Sequence, residues 1–192
     1  MRKVFVFAAL LFSLTLTAVA QGPSVLKPPK GSALAIVVFE DMQCPQCRRV
    51  APLVEQASKT YKIPLVRYDF PLPMHNWSYD AAVMARFFDK ESKSLGDAFR
   101  DYIFEHQLEI FPSNLRNFAD KFAAEHKTAL PFVVDPKGEL SALVNADRDL
   151  GKRVGIEHTP TVYIVSSKPQ GRPYLEVTDT SQLFQSIDSM RQ

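Results

Sequence analysis

The hydrophobic residues change period along the chain, and the changes mark out its elements. Ala33–Phe39 is a continuous apolar run rich in β-branched residues. Such a run suits a strand buried on both faces, as at the centre of an α/β sheet. It stops at Glu40-Asp41. From Cys44 onward the spacing becomes helical: Val50, Leu53, Val54, Ala57 and Tyr61 share one face, and Pro52 is expected to kink the helix. Pro64–Phe70 reads as a second strand. Three apolar stripes at helical spacing follow. The first is Ala81, Met84, Ala85 and Phe88; the second is Phe99, Tyr102 and Ile103; the third is Leu115, Phe118, Ala119, Phe122 and Ala123. Ser94, with Asp97 three residues on, is expected to cap the second. Asp135-Pro136 predicts the start of a fourth helix carrying Leu140, Leu143, Val144, Leu150 and Val154, closed by Gly155. Thr161–Val165 and Pro173–Thr178 read as paired strands around a turn at Pro169–Arg172. Leu183, Phe184 and Ile187 give a last amphipathic helix.

The predicted order is β-α-β, then helices, then α-β-β-α. The 88 residues from Pro71 to His158 far exceed the dozen or so that a parallel crossover needs. A helical subdomain at about 71–135 is therefore expected within a small α/β core spanning 33–192. Phe87, Phe88, Phe99, Phe118 and Phe122 read mainly as its core. At 192 residues, one domain with an insertion is the natural reading.

The N-terminus changes the picture of where the chain works. Arg2 and Lys3 precede an uncharged apolar run that ends in Ala18-Val19-Ala20. This is the pattern of a secretory signal peptide (residues 1–20), with cleavage expected after Ala20 and retention as an anchor as the alternative. Residues 21–32, with three prolines and two glycines, read as an extended leader. The domain is expected outside the cytoplasm, in a periplasmic or other extracytoplasmic space that is oxidising. Without Arg2 and Lys3 the basic and acidic residues balance at 21 each, which excludes an electrostatic nucleic-acid binder.

The only two cysteines form Cys44-Pro45-Gln46-Cys47, between an apolar strand and a helix. A zinc site needs four ligands, and His75, His106, His126 and His158 are scattered, so no metal is expected. A structural disulfide across two intervening residues would close almost no loop. A redox pair has a positive reason. Unpaired N–H groups and the dipole at a helix start favour the thiolate of Cys44. Pro45 fits the first turn, and Cys47, one turn on, can resolve a mixed disulfide.

Phe39-Glu-Asp-Met-Gln-Cys44-Pro-Gln-Cys47-Arg-Arg49 resembles the active-site segment of DsbA-like thiol:disulfide oxidoreductases of the thioredoxin superfamily. Gly155-Ile-Glu-His-Thr159-Pro160-Thr-Val-Tyr163 resembles that superfamily's Thr–cis-Pro loop. Pro71-Leu-Pro-Met-His75 resembles the entry to its helical insertion. The resemblance implies a thioredoxin-like fold: a central mixed sheet flanked by helices, with an inserted all-helical subdomain. It implies a cis peptide at Thr159–Pro160 beside the cysteines, with these two residues binding an extended substrate segment by strand addition. It also implies exported client proteins, a quinone-linked membrane redox partner, a monomer and no cofactor.

Several residues stand as candidate modulators. Gln46 replaces the histidine typical of the strongest oxidants in the family and cannot carry a positive charge, which counts against a very oxidising potential. Arg48 either compensates for this or lies on a solvated helix surface. Val38 stands where related proteins often carry a buried acid. Glu40 and Asp41 are nearer the cysteines and either act on them or, the favoured reading, end the strand in water. His75 and His158 read as structural, and Trp77 as packing between subdomain and core. The function expected is an extracytoplasmic thiol:disulfide oxidoreductase that oxidises or exchanges disulfides in exported proteins. The alternatives are a reductase or isomerase of the same chemistry, or a non-catalytic peptide-binding chaperone module. The 12 residues between the cleavage site and the core leave no room for an isomerase's dimerisation domain.

Overall fold

The computed structural model describes residues 22–192; the signal-peptide expectation lies outside them. The first strand, β1 (Leu34–Glu40), is buried along its whole length. Its residues alternate between two cores, as the two-residue period of a strand requires. Ala35, Val37 and Phe39 face Phe70, Val154 and Ile156. Leu34, Ile36 and Val38 face Val50, Val54 and Ala57 on one side helix and Leu183, Ile187 and Met190 on another. These two helices are α1 (Pro45–Tyr61) and α6 (Leu183–Arg191). Pro52 sits inside α1, which runs on through it without interruption.

The sheet has the order β2-β1-β3-β4, where β2 is Leu65–Asp69, β3 is Thr161–Ser166 and β4 is Tyr174–Glu176. β1 pairs parallel with β2 and antiparallel with β3. Register matters most at one end. Phe39, near the end of β1, lies opposite Thr161, the first residue of β3. The chain leaving β1 towards Cys44 therefore runs beside the chain entering β3 from Thr159. The sheet supplies this juxtaposition across 115 residues of sequence.

Between β2 and β3 lie α2 (Ser78–Glu91), α3 (Lys93–Glu105), α4 (Leu115–Glu125) and α5 (Glu139–Val154). Phe88, Phe99 and Phe122, one from each of the three predicted stripes, meet with ring centroids 4.7–5.2 Å apart. Their cluster continues through Trp77 to Met42, Cys44 and Cys47, so the helical region packs directly on the cysteine segment.

Two helix starts differ from expectation. The cap of α3 is Ser92, whose hydroxyl accepts the Leu95 N–H at 3.1 Å; Asp97 instead pairs with Lys93. Ser92 is the extended residue that follows α2, so one residue ends one helix and starts the next. Asp135 does cap α5, but from outside the helix: its carboxylate accepts the N–H groups of Leu140 and Ser141 at 3.0 and 2.8 Å, and α5 begins only at Glu139. Gly155 ends α5 at φ 85°, a left-handed value that glycine adopts freely.

Ion pairs hold the helical region to the sheet. Arg100 is fully buried on the apolar side of α3 and grips Asp69 of β2 with two bonds (3.0 and 2.8 Å) and Asp89 of α2 with two more (3.0 and 2.9 Å). Arg86 adds Asp69, Asp89 and Asp147 of α5. Buried charges persist only when paired and hydrogen-bonded in this way.

Candidate functional site

Cys44 is the N-cap of α1, with extended backbone (φ −76°, ψ 121°), and Pro45 is the first helical residue. Proline is suited to that position because the helix has no carbonyl waiting for its N–H. Both thiols are free, and exposure falls from 6% for Cys44 to 1% for Cys47. Cys44 thus lies shallowly beneath a rim and Cys47 one helical turn deeper.

The Cys44 thiol donates to the Thr159 carbonyl at 3.3 Å, and the Thr159–Pro160 peptide is cis. The Thr159 hydroxyl is buried and unpaired while Cys44 carries its proton. Once Cys44 is ionised, that hydroxyl has an acceptor in the thiolate.

The two thiols are driven apart in acidity. The Cys44 pKa is lowered to about 5, first by the hydrogen bond from the Cys47 thiol. Burial opposes this; the N–H groups of Cys47 and Gln46 at the helix start and the Thr159 hydroxyl reinforce it. Cys47 moves far upward, first because burial disfavours its thiolate and then because it shares its proton with Cys44. The pair thus holds one readily ionised sulfur close to the surface and a second kept neutral beneath it.

The other candidates fall into place unevenly. Gln46 is exposed and its side-chain oxygen accepts from Arg49 at 3.1 Å. Arg48 gives its backbone N–H to the Cys44 carbonyl (3.2 Å), while its side chain lines an α1–α3 groove with Glu55 and Asp101. His158 is exposed, and Trp77 is buried within the cysteine-bearing cluster.

Glu40 and Asp41 do not end the strand in water; both are buried, at 2% and 1% exposure. Glu40 is held by Arg67 of β2, its neighbour in the sheet, with Nε to Oε1 at 2.6 Å, and Arg67 also reaches Asp101 of α3 at 2.7 Å. The Asp41 carboxylate accepts from the N–H groups of Gln43 (2.7 Å) and Leu72 (2.6 Å) and from the Ser78 hydroxyl (3.3 Å), and His75 Nδ1 lies 2.7 Å away. Acids at a strand end read as solvated because burial needs partners, and apart from Gln43 these partners come from residues 27 to 37 positions downstream.

Sequence reasoning missed Gln107, buried after the end of α3. Its amide donates to the carbonyls of Met42 (2.8 Å) and Cys44 (3.0 Å), clamping the cysteine turn from the helical region. A single glutamine past a helix end carries no sequence signal. Arg100 did carry one: it precedes Ile103 by three residues, in phase with a buried stripe. Beside Pro45, a groove of about 330 Å³ runs between Trp77, Gln107 and Ile110, with Leu108 and Phe111 exposed along it.

The fold is similar to several solved structures. The thiol-disulfide exchange protein alpha-DsbA2 from Wolbachia pipientis superposes with a TM-score of 0.64 at 18% identity, covering 85% of each chain. The catalytic domain of Proteus mirabilis ScsC gives 0.64 at 19%, covering 85% of this chain and 86% of that one. Pseudomonas aeruginosa DsbA2 gives 0.61 at 18%, covering 85% and 92%. No curated protein sequence matches significantly. The mixed four-stranded sheet, the helices inserted between β2 and β3 and the Cys-x-x-Cys at a helix start form a thioredoxin-like fold of the DsbA type. Residues 30–177, most of the chain, match the family model described as Thioredoxin, and the chain belongs to the thioredoxin family.

Proposed function

We propose that the chain is a thiol:disulfide oxidoreductase of an extracytoplasmic compartment, acting mainly as an oxidant of exported proteins. The observation that carries this is Cys44: a thiol lowered to about 5, at a helix start, 3.3 Å from the Thr159 carbonyl. In the oxidised enzyme a client thiolate attacks Cys44 Sγ. The Cys44–Cys47 bond breaks, a client–Cys44 disulfide forms, and Cys47 leaves as a thiolate that takes up a proton. A second client thiolate then attacks the client sulfur. The client disulfide forms, Cys44 leaves as a thiolate, and the enzyme has gained two electrons. Easy ionisation of Cys44 makes it a good leaving group and stabilises the reduced form, which favours the oxidising direction. Thr159 and Pro160, beside the reacting sulfur, are assigned to the client backbone. The groove at Leu108 and Phe111 suits an apolar client segment. By the resemblance of its cysteine segment to the DsbA-like family, a quinone-linked membrane protein would reoxidise the pair.

The deciding experiment is the equilibrium of the Cys44–Cys47 couple against glutathione, together with disulfide transfer to a reduced client protein. An oxidising potential, with transfer abolished by Cys44→Ala, is the expected result. A strongly reducing potential would make the protein a reductase. Client protection that persists in Cys44→Ala, without transfer in the wild type, would make it a binding module.

A further inference from the structure

The buried carboxylate of Asp41 is the feature the reaction scheme leaves unused. Its four neighbours all come from outside β1: Gln43 from the cysteine turn, Leu72 and His75 from the segment after β2, and Ser78 from the first turn of α2. The same residue touches both cysteines through its backbone. Its carbonyl accepts the Cys44 N–H at 3.0 Å, and its N–H points at Cys47 Sγ at 3.4 Å. We propose that Asp41 is a positioning residue for the resolving cysteine: its anchored carboxylate holds the Asp41 peptide so that its N–H stabilises Cys47 as a thiolate.

The chemistry requires such a donor. Cys47 is a thiolate at two moments: when it leaves as a client attacks Cys44, and when it attacks a client–Cys44 disulfide to release the client. At both moments a charge develops on a sulfur 1% exposed, where water gives little help. A fixed backbone N–H aimed at the position of developing charge lowers that cost without reorganisation. A peptide free to rotate would not. The Phe70 N–H holds one face of that peptide by donating to the Glu40 carbonyl at 2.7 Å, and the carboxylate holds the other side through its bonds to Leu72 and Gln43; the Gln43 side chain adds to the anchoring by accepting the Trp77 N–H at 3.0 Å. The Asp41 N–H acts directly on Cys47, whereas the acidity of Cys44 is set first by the Cys47 thiol and then by the helix start and Thr159.

The inference rests on the oxidoreductase reading, and one experiment separates the two. Reduced protein is mixed with excess 5,5′-dithiobis(2-nitrobenzoate), and release of thionitrobenzoate is followed by stopped flow. Attack by Cys44 releases one equivalent and leaves a Cys44 mixed disulfide. Attack by Cys47 on that disulfide releases a second equivalent and closes the Cys44–Cys47 bond. Asp41→Ala is expected to slow the second phase at least tenfold and to leave the first within twofold. His75→Ala, which removes one partner and keeps the carboxylate, is expected to slow the second phase about threefold, with recovery in His75→Gln. Should Asp41→Ala fail to fold, the histidine pair decides alone. Equal slowing of both phases, or an unchanged second phase, overturns the positioning role. A wild-type protein that releases only one equivalent of thionitrobenzoate overturns the redox reading itself.

Discussion

The acidity of Cys44 has a thermodynamic consequence that can be measured without any client. In the unfolded chain a cysteine titrates near 9.0, and in the folded, reduced protein Cys44 titrates at about 5. A gap of about 4 units is worth about 5 kcal/mol in full, at about 1.4 kcal/mol per unit. At pH 7 only the interval from 5 to 7 is realised, about 2.7 kcal/mol. The sulfur lies at a shallow rim, where water and salt screen its partners, so ~1–2 kcal/mol is the expected effect. Because the folded value is depressed, this contribution grows as pH rises from 5 towards 9 and is lost as pH falls through 5. Reduced wild type and reduced Cys44→Ser should be unfolded in guanidinium chloride between pH 4.5 and 8. Their stability difference should change by ~1–2 kcal/mol across the interval from 5 to 7, always in favour of the wild type at higher pH. Oxidised wild type has no thiol to titrate and should lack this slope. Thiolate absorbance near 240 nm should rise with a midpoint near 5 and be absent in Cys44→Ser. The same energy makes the couple about 20–45 mV more oxidising than a pair with ordinary thiols, since about 30 mV corresponds to about 1.4 kcal/mol. A thiolate that appears only near pH 9, or a stability difference flat with pH, would refute the helix-start argument.

Other consequences follow from the packing. Reduced protein at pH 7 should react with one equivalent of iodoacetamide rapidly, at Cys44, and spare Cys47, whose thiol burial holds in its neutral form; mass spectrometry of digested protein reads this directly. Arg100→Leu should lose about 1–3 kcal/mol in denaturant unfolding, because Asp69 and Asp89 lose the four bonds from Arg100 and keep only Arg86 as an ion-pair partner; full stability in that variant would remove the ion cluster from the account. The Asp101 pKa is raised to about 7, by burial first and then by the hydrogen bond with Glu55. A raised carboxyl value means that stability falls as pH rises from about 4 to about 7, where the unfolded chain has ionised and the folded one has not, and levels off above 7. Asp101→Asn should therefore flatten the stability profile between pH 4 and 7, read from denaturant midpoints, whereas an unchanged profile would place that titration elsewhere. Gly151→Ala puts a methyl 2.4 Å from the Phe70 ring and should cost about 1–3 kcal/mol by thermal unfolding, with Phe70→Leu restoring part of it.

Much of the fold was legible because its signals are periodic. The buried run of β1, the three phenylalanine-bearing stripes and Gly155 all express local geometry that repeats every two or 3.6 residues. The cysteine pair was legible because the chain has no other cysteines, and Thr159–Pro160 because the family places that dipeptide before a strand. What escaped was polar and non-local. Glu40, Asp41 and Arg67 look like ordinary surface residues, and Gln107 like the fraying end of a helix. Their burial depends on partners that only the folded chain brings near. Ser92 escaped for a smaller reason, that a cap can sit a residue or two from the expected place, whereas Asp135 was read as the cap of α5 and does cap it, from four residues before its first turn.

The antiparallel register of β1 and β3 also imposes an order in time. In the proposed export into an oxidising space, N-terminus first, the chain presents its two sulfurs long before Thr159 arrives to sit against them. During that interval the helix carrying the sulfurs can form, but the wall that completes the pocket is still missing. Competence in exchange is thus withheld until nearly the whole polypeptide has been delivered, and a truncated product ending before residue 159 would carry the reactive motif without the site.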